Sequence, residues 1–214
     1  MAIKTTNPPI IPSYWETALK ELRERDRILG KLISTDGSEV LCSQGDAFTT
    51  LTRAIVGQQI SVKAAASVWH KLTLQLTEIS PYTVFSADTD LLKTCGLSAR
   101  KVSYIQDLSA KFLEGIHDEA EWQRMDDESL IKLLIQFRGI GRWTAEMFLI
   151  FYMLRPNVLP LDDIGLQRAI SIHYNQNQTI DKQSIQKIAE EWQPWRSVAT
   201  WYLWRSLDPI PVAY

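Results

Sequence analysis

The chain has 214 residues, of which 45% are hydrophobic and 22% are charged, and its formal net charge is -2. That length can bury a core as one domain or as two interlocked lobes, and the composition is ordinary for a globular protein, which excludes disordered and collagen-like classes. The small net charge argues against non-specific coating of polyanions, because such affinity needs many phosphate contacts at once. It is compatible with a few well-placed contacts.

Membrane, disulfide and metal-cluster classes find no support in the sequence. The chain start lacks the apolar segment of a secretory leader, and the longest apolar run, MFLIFYML at residues 147–154, is far shorter than the roughly 20 residues that span a bilayer. Cys42 and Cys95 form no CxxC motif, so a disulfide framework, a zinc site and an iron–sulfur cluster are all unsupported. We therefore expect a cytosolic protein.

Helix signals recur along the whole chain, whereas no segment shows the sustained alternation of a half-buried strand. Ser13 and Glu16 form a capping-box pattern before a helical apolar spacing that continues to Ile33. Four further helices are predicted from capping residues, which are Asp46, Ser61, Thr89 and Ser98. Five later helical segments follow, from ESLIKLLIQF to WRSVATWYLWRSL. The sequence therefore predicts an all-α domain of about ten helices.

The segment FRGIGRWTAE at residues 137–146 joins two predicted helices through a Gly-x-Gly turn. Gly139 and Gly141 permit unusual backbone angles and leave no Cβ in the way of a ligand, and the second helix starts with unpaired amides at its positive end. A phosphate suits that place, and Arg138 and Arg142 would add positive charge beside it. Taken alone, the turn is equally consistent with a simple helix–helix connector.

Five motifs together resemble the helix-hairpin-helix DNA glycosylase superfamily. FRGIGRWTAEMFLIF resembles its hairpin, and LPLDDIGLQRA, some 20 residues on, resembles its Pro/Asp segment. AIVGQQISVKAA (54–65), CGLSARKVSYI (95–105) and EEWQPWRSVATWYLW (190–204) resemble the 3-methyladenine DNA glycosylase II branch. The resemblance covers about residues 46–207. It implies a monofunctional glycosylase that flips an alkylated base, of the 3-methyladenine or 7-methylguanine type, out of duplex DNA and hydrolyses its N-glycosidic bond, which begins base excision repair.

The resemblance assigns the essential carboxylate to Asp163, because Arg168 follows it five residues later as in the family's common Asp…Arg pattern. Taken alone, an Asp162–Asp163 pair at a helix start more often caps the helix, and we expect Asp162 to cap while Asp163 faces the site. Asp163 would stabilise positive charge that develops on the deoxyribose and help to orient the attacking water. One carboxylate suffices, since an alkylated purine already carries positive charge and departs without being protonated.

Tryptophan faces suit an electron-deficient base, because cation–π attraction adds roughly 0.5–2 kcal/mol. The resemblance assigns Trp143 and Trp204 to the base pocket, with Trp201 and Tyr202 as weaker candidates. Relatives that also cut the strand carry a nucleophilic lysine where this chain has Trp143, so we expect no β-elimination. We expect most of the chain's eight tryptophans to pack in the core.

The resemblance assigns DNA contacts to two loops. Gly139, Gly141 and the amide of Arg142 would hold a phosphate beside the lesion, which positions the DNA without reading its sequence. Gln58 and Gln59 would contact DNA from the GQQI stretch, and Gln59 is the candidate wedge that fills the gap left by the flipped base. Some relatives have a bulky apolar residue there, so Gln59 is equally consistent with a polar residue at a helix end.

The resemblance also implies ligands and partners. No cofactor is expected to be required, but a Na⁺ or K⁺ ion bound by the backbone carbonyls of Ile135, Phe137 and Ile140 is expected at the hairpin. The expected partner is double-stranded DNA that contains alkylated bases, bound by a monomer. The expected location is the cytoplasm, in association with the nucleoid if the protein is bacterial, or the nucleus if it is eukaryotic.

The resemblance implies one glycosylase domain with two helical lobes and the active site between them. The middle lobe would span about residues 46–155 and end in the hairpin at about 128–153, while the second lobe would combine about 1–45 with 156–214. Larger relatives carry an N-terminal β domain for which this chain lacks the length. Two alternatives stay open: a helix-hairpin-helix glycosylase for deaminated or oxidised bases, and a lesion-binding DNA protein without catalysis.

Overall fold

The structure is a computed structural model that describes residues 10–35, 40–43, 45–115 and 118–207. These residues form thirteen α-helices and no strand, apart from an isolated antiparallel bridge between Ile10 and Ser43. The prediction of an all-α fold is therefore confirmed. Of the described helices, none is both long and apolar enough to cross a bilayer.

The helices follow one another with short connections. In chain order they are α1 (Trp15–Arg25), α2 (Arg27–Thr35), α3 (Ala47–Gly57), α4 (Val62–Leu76), α5 (Pro81–Ser86), α6 (Thr89–Thr94), α7 (Ala99–Leu113), α8 (Glu119–Arg124), α9 (Asp127–Leu134), α10 (Arg142–Phe151), α11 (Ile164–Tyr174), α12 (Lys182–Ile188) and α13 (Arg196–Leu207).

The described residues separate into two compact units. The first unit contains α3 to α9 and α10 as far as Phe148, and the second unit contains α1, α2, the end of α10 and α11 to α13. The boundary lies inside α10 and not near residue 155, because Phe151 packs against Trp201 and Trp204 of the second unit.

Three helices among the described residues are additional to the ten that the sequence predicts. The predicted first helix is interrupted at Asp26, whose side chain accepts hydrogen bonds from the amides of Ile28 and Leu29 and so begins α2. The other two, α5 and α8, have six residues each and begin after Ser80 and Asp118, which cap them. Their few apolar residues are too short a series to show a helical period.

Three of the predicted caps are confirmed. Asp46, Ser61 and Ser98 each accept a hydrogen bond from an amide in the first turn of the following helix. The prediction that Thr89 caps α6 is wrong by one residue, because the Asp88 carboxylate accepts from two amides there. The capping box predicted at Ser13 is also wrong: α1 begins after Tyr14 without a side-chain cap, and the Trp15 amide donates to the Pro12 carbonyl instead.

The core of the first unit contains a continuous chain of aromatic rings. Phe48 meets Phe112 at 5.3 Å between ring centroids, Phe112 meets Trp122 at 6.3 Å, and Trp122 meets Phe148 at 5.7 Å, all edge to face. Such edge-to-face pairs place the positive ring edge on the negative ring face and stabilise the core beyond simple area burial. These contacts pack α3, α7, α8 and α10 against one another.

The core of the second unit is organised around Asp26. Besides capping α2, the Asp26 carboxylate accepts hydrogen bonds from the Tyr174 hydroxyl at 2.6 Å and the Trp192 indole nitrogen at 2.9 Å. Trp192 is fully buried, and burial together with the Asp26 contact raises the pKa of Tyr174. These hydrogen bonds connect the start of α2 to α11 and to Trp192, which follows α12.

Candidate functional site

The hairpin turn between α9 and α10 lies in the first unit. Gly139 has a φ of +83°, and a Cβ there would lie 2.2 Å from Cδ2 of Tyr104, so only glycine fits. Gly141 differs, because its backbone angle is ordinary and a Cβ there would have nothing within 4 Å. Of the two predicted reasons for glycine, Gly141 lacks the left-handed backbone angle and keeps only the open space in front of α10.

The loop after α3 is fastened to this turn by two side chains. Nε2 of Gln58 donates to the Gly139 carbonyl at 2.8 Å and to Oγ1 of Thr144 at 3.0 Å. Nζ of Lys101 donates to the carbonyls of Val56 and Gln58, at 2.8 Å each. Burial lowers the pKa of the Lys101 ammonium. The Gln58 amide nitrogen thus supports the hairpin from within, while its contact with DNA stays a prediction.

Lys101 was not predicted as a site residue. It stands in the first turn of α7, where a lysine is usually a solvated charge, and its acceptors lie 43 and 45 residues earlier in the chain. Nothing local in the sequence indicates those partners. The two carbonyls lie at the C-terminal end of α3, where the last carbonyls of a helix have no intrahelical donor, and Lys101 supplies that donor.

A cavity of about 520 Å³ opens beside the hairpin turn. Its lining contains three cationic side chains and no carboxylate, and the residues are Gln58, Gln59, Ser98, Arg100, Lys101, Tyr104, Ile135, Gln136, Phe137, Arg138, Gly139, Ile140 and Gly141. Arg100 and Arg138 are exposed and make no hydrogen bond or ion pair with any described residue. An anion is therefore the ligand that this cavity suits best.

Gln59 also lines the cavity. It is exposed and holds a left-handed backbone with a φ of +57°, which a non-glycine residue adopts at a cost of about 1–3 kcal/mol. The preceding residue, Gln58, is held through both its side chain and its backbone. Its Nε2 donates to the Gly139 carbonyl, and its own carbonyl accepts from Nζ of Lys101. The wedge role of Gln59 stays a prediction.

Arg142 does not supply free positive charge to the hairpin. Its guanidinium donates to Oε1 of Glu146 at 3.0 Å and to both carboxylate oxygens of Glu128, one of them at 3.1 Å. The hydrogen bonds from Arg142 lower the pKa of Glu128, and the Glu128 contact raises the pKa of Arg142. The expectation that the Arg142 side chain adds charge beside a phosphate is therefore wrong, because two carboxylates compensate it; the prediction for its backbone amide is unaffected.

The remaining predicted residues of the first unit surround the same turn. Trp143 is half-buried in the first turn of α10. Ile135, Phe137 and Ile140, whose carbonyls are the predicted cation ligands, all line the cavity. The Phe137 carbonyl accepts a hydrogen bond from the Ile140 amide at 3.1 Å, and a carbonyl oxygen retains a second lone pair for an ion. Neutral oxygens of this kind suit a hard cation of low charge.

In the second unit, Asp163 stands at the start of α11. Its Oδ1 accepts hydrogen bonds from the Leu166 amide at 2.6 Å and from the Trp204 indole nitrogen at 2.7 Å. Asp163 is thus the N-cap, and the expectation that Asp162 caps the helix is wrong. The Asp162 carboxylate pairs with Lys182 instead, because the turn before α11 directs it outward to an exposed ion pair.

Three aromatic side chains of α13 take different positions in the second unit. The Trp204 ring stacks on Phe151 with 5.9 Å between centroids and 9° between planes, and it is half-buried. Trp201 packs against Phe151 at 6.2 Å, and Tyr202 stacks on Trp15 at 6.1 Å. Trp201 and Tyr202 are each only 5% exposed, so packing accounts for their placement, and their role in a base pocket stays a prediction.

Known proteins share this chain's sequence pattern and fold. The model of the HhH-GPD superfamily of base excision DNA repair proteins matches residues 52–194. DNA-3-methyladenine glycosylase 1 of Schizosaccharomyces pombe is 30% identical over 195 residues, which are 89% of this chain and 86% of that protein.

Solved structures agree with this similarity. The Schizosaccharomyces pombe 3-methyladenine DNA glycosylase in complex with abasic DNA has a TM-score of 0.81 at 27% identity, covering 92% of this chain and 99% of that one. The DNA-3-methyladenine glycosidase of Bacillus halodurans has a TM-score of 0.76 at 29% identity, covering 89% of each chain. The chain therefore belongs to the HhH-GPD superfamily of base excision DNA repair proteins.

Proposed function

We propose that the protein is a monofunctional DNA glycosylase that removes alkylated bases, of the 3-methyladenine and 7-methylguanine type, from duplex DNA. Its similarity to proteins named DNA-3-methyladenine glycosylase supports this activity. The observation that carries the proposal within this chain is Asp163, a carboxylate at the N-terminus of α11 whose Oδ1 is held by the Leu166 amide and the Trp204 indole.

The chemistry needs little more than one oriented negative charge. Cleavage of the N-glycosidic bond develops positive charge on the deoxyribose, and a carboxylate fixed beforehand stabilises it without reorganising during the reaction. An alkylated purine leaves as a neutral base, so a general acid is not needed. Asp163 thus acts as the catalytic carboxylate, with water as the nucleophile.

The reaction ends at the abasic site. Strand cleavage by a glycosylase of this superfamily needs an amine that forms a Schiff base with the sugar. Trp143 occupies the position that the resemblance assigns to that amine, and an indole nitrogen is not a nucleophile of this kind. The product is therefore an abasic site in an intact strand.

The DNA backbone is held by the hairpin face of the first unit. Open space at Gly141 admits a phosphate to the amides at the start of α10, and the cavity adds the positive charges of Arg100 and Arg138, which no described residue pairs. These two arginines take the role first expected of Arg142, whose charge is compensated by Glu128 and Glu146. The protein works as a monomer where the cell keeps its DNA, which is the nucleoid region of a bacterial cytoplasm or a eukaryotic nucleus.

A Na⁺ or K⁺ ion bound by the carbonyls of Ile135, Phe137 and Ile140 would strengthen this contact by adding positive charge beside the phosphate. No cofactor takes part in the chemistry. The measurement is the dissociation constant for duplex DNA in sodium, potassium and tetramethylammonium chloride at equal ionic strength. Weaker binding is expected in tetramethylammonium, which is too large for the carbonyls; equal binding in all three salts contradicts the ion site.

The decisive experiment measures base release from methylated duplex DNA by the wild type, Asp163→Asn and Asp162→Asn. The wild type should release 3-methyladenine or 7-methylguanine and leave the strand uncut until alkali is added. Asp163→Asn should lose at least about 100-fold in rate, because it removes the charge and keeps the shape. Asp162→Asn is the matched control, since it removes the neighbouring carboxylate that pairs with Lys182, and should retain the rate.

Three other results would contradict the proposed activity or the role of Asp163. Lesion binding without base release by the wild type would identify a binding protein, and release only from duplexes that contain uracil or 8-oxoguanine would identify a different glycosylase. Equal release by Asp163→Asn and the wild type would move the catalytic carboxylate to another residue.

A further inference from the structure

Gly165 occupies a position in the first turn of α11 that has no backbone need for glycine. Its φ lies outside the left-handed region, and glycine in a helix interior is less stable than alanine. A Cβ at this position would lie 3.1 Å from Oδ1 of Asp163 and 3.2 Å from Cδ1 of Trp204, both closer than ordinary van der Waals contact. The missing side chain therefore leaves the space in which Asp163 and Trp204 meet.

The Asp163–Trp204 contact is held from both sides. The Trp204 indole nitrogen donates to Oδ1 of Asp163 at 2.7 Å, and the same oxygen accepts from the Leu166 amide at 2.6 Å. On its ring face, Trp204 lies parallel to Phe151 at 5.9 Å. A Cβ at 165 would push the indole away from Asp163, so the indole would lose either its hydrogen bond or its stack on Phe151.

We propose that Trp204 is a positioning residue whose N–H fixes the orientation of the Asp163 carboxylate, and that Gly165 is the residue that makes room for it. The proposal rests on the catalytic role of Asp163 given above. Two donors on one oxygen, directed from the helix and from the indole, restrict the orientation of the carboxylate. Because preorganised charge acts on the transition state, the consequence belongs to the rate of bond cleavage and not to DNA affinity.

The first experiment removes only the indole N–H. In Trp204→Phe an aromatic ring remains to stack on Phe151, but the donor to Asp163 is lost. We expect the single-turnover rate on duplex DNA with 7-methylguanine, at saturating enzyme, to fall by roughly tenfold or more, while the DNA dissociation constant changes less than about twofold. Trp195→Phe is the matched control, because it loses an equivalent 2.8 Å bond from an indole to the Glu21 carboxylate, and it should cleave at the wild-type rate.

The second experiment tests Gly165 through a double-mutant cycle of Gly165→Ala and Trp204→Ala. Gly165→Ala should slow cleavage in the wild-type background and have little further effect when Trp204 is already alanine, because the crowding partner is gone. Thermal unfolding of each variant verifies that the native fold is retained, so that a slow rate reports positioning.

Three outcomes would overturn the inference: wild-type cleavage by Trp204→Phe, an equal effect of Gly165→Ala in both backgrounds, or losses that appear only in the DNA dissociation constant. All of these presuppose a wild type that releases the base. An inactive wild type would instead overturn the proposed function, so the two failures are distinguishable.

Discussion

Two glycines of the same turn have different physical reasons to be glycine. Gly139 combines a left-handed φ with a Cβ position that falls within 2.2 Å of the Tyr104 ring, so both conformation and packing exclude any side chain. Gly141 has neither constraint, and a Cβ there would project into open space. The sequence pattern Gly-x-Gly is symmetrical, whereas the structure assigns Gly139 to the fold and Gly141 to a surface that a ligand can approach.

We predict that alanine at these two positions affects different properties, which are the stability of the fold at Gly139 and the affinity for DNA at Gly141. Gly139→Ala should lower the free energy of unfolding by about 2 kcal/mol, because it combines a strained backbone with a ring overlap. Gly141→Ala should change that free energy by less than about 1 kcal/mol but weaken binding of duplex DNA, since its methyl group occupies the approach to the α10 amides. Chemical denaturation and DNA titration of both variants provide the test. A Gly141→Ala variant with wild-type DNA affinity would remove Gly141 from the DNA contact.

At the scale of helices, the end of α1 shows how distant partners interrupt a continuous helical pattern. The sequence predicts one helix up to Ile33, with the apolar period unbroken across Asp26. In the structure Asp26 caps α2 and accepts bonds from Tyr174 and Trp192, which lie 148 and 166 residues away. A carboxylate that accepts hydrogen bonds from a helix start and from two distant side chains is more stable there than inside a longer helix, so the helix is interrupted.

Asp26→Ala should therefore lower the free energy of unfolding by about 3 kcal/mol. Loss of a cap costs about 1 kcal/mol, and leaving the Tyr174 hydroxyl and Trp192 indole without their acceptor costs at least about 1 kcal/mol each. Asp181→Ala is the matched control, because Asp181 caps α12 in the same way but is exposed, so its loss should cost only about 1 kcal/mol. Equal losses in urea denaturation would show that the hydrogen bonds from Tyr174 and Trp192 contribute nothing.

For the molecule as a whole, charge is distributed so that a protein with a net charge of -2 can still hold a polyanion. The cavity beside the hairpin gathers Arg100, Lys101 and Arg138 and no carboxylate. Lys101 is engaged by two carbonyls, which leaves the two arginines to meet phosphates. Under the proposed function, affinity for DNA would come from a small number of contacts in one place, with which the small net charge is compatible.

This distribution predicts the salt dependence of DNA binding. Each phosphate contact adds about 0.9 to the slope of log affinity against log salt, so the double variant Arg100→Gln/Arg138→Gln should reduce the slope by roughly 2. Arg124→Gln, an exposed arginine of the first unit outside the cavity, is the control and should leave the slope unchanged. The slope is measured by DNA titrations between roughly 50 and 200 mM salt, where such effects are large. An unchanged slope in the double variant would place the phosphate contacts elsewhere.

Local chemistry made much of this protein predictable from the sequence. Helical periodicity and caps such as Asp46, Ser61 and Ser98 act within one turn of the chain, so they indicate an all-α fold before any tertiary contact forms. The hairpin and the segment with Asp163 were likewise recognisable, because each is a short continuous motif. That continuity is why the sequence predicts Trp143 and Asp163 as site residues.

Only tertiary structure decided how the polar and aromatic side chains are used. Arg142 is paired with Glu128, Lys101 with the end of α3, and Trp204 with Asp163, and in each case the partners are far enough apart in sequence that no local pattern records them. A side chain several bonds long can reach many acceptors, and which one it meets depends on how helices pack. The sequence by itself therefore determined the helices and the motifs, while the packing of those helices determined which charges are compensated and which carboxylate is held in place.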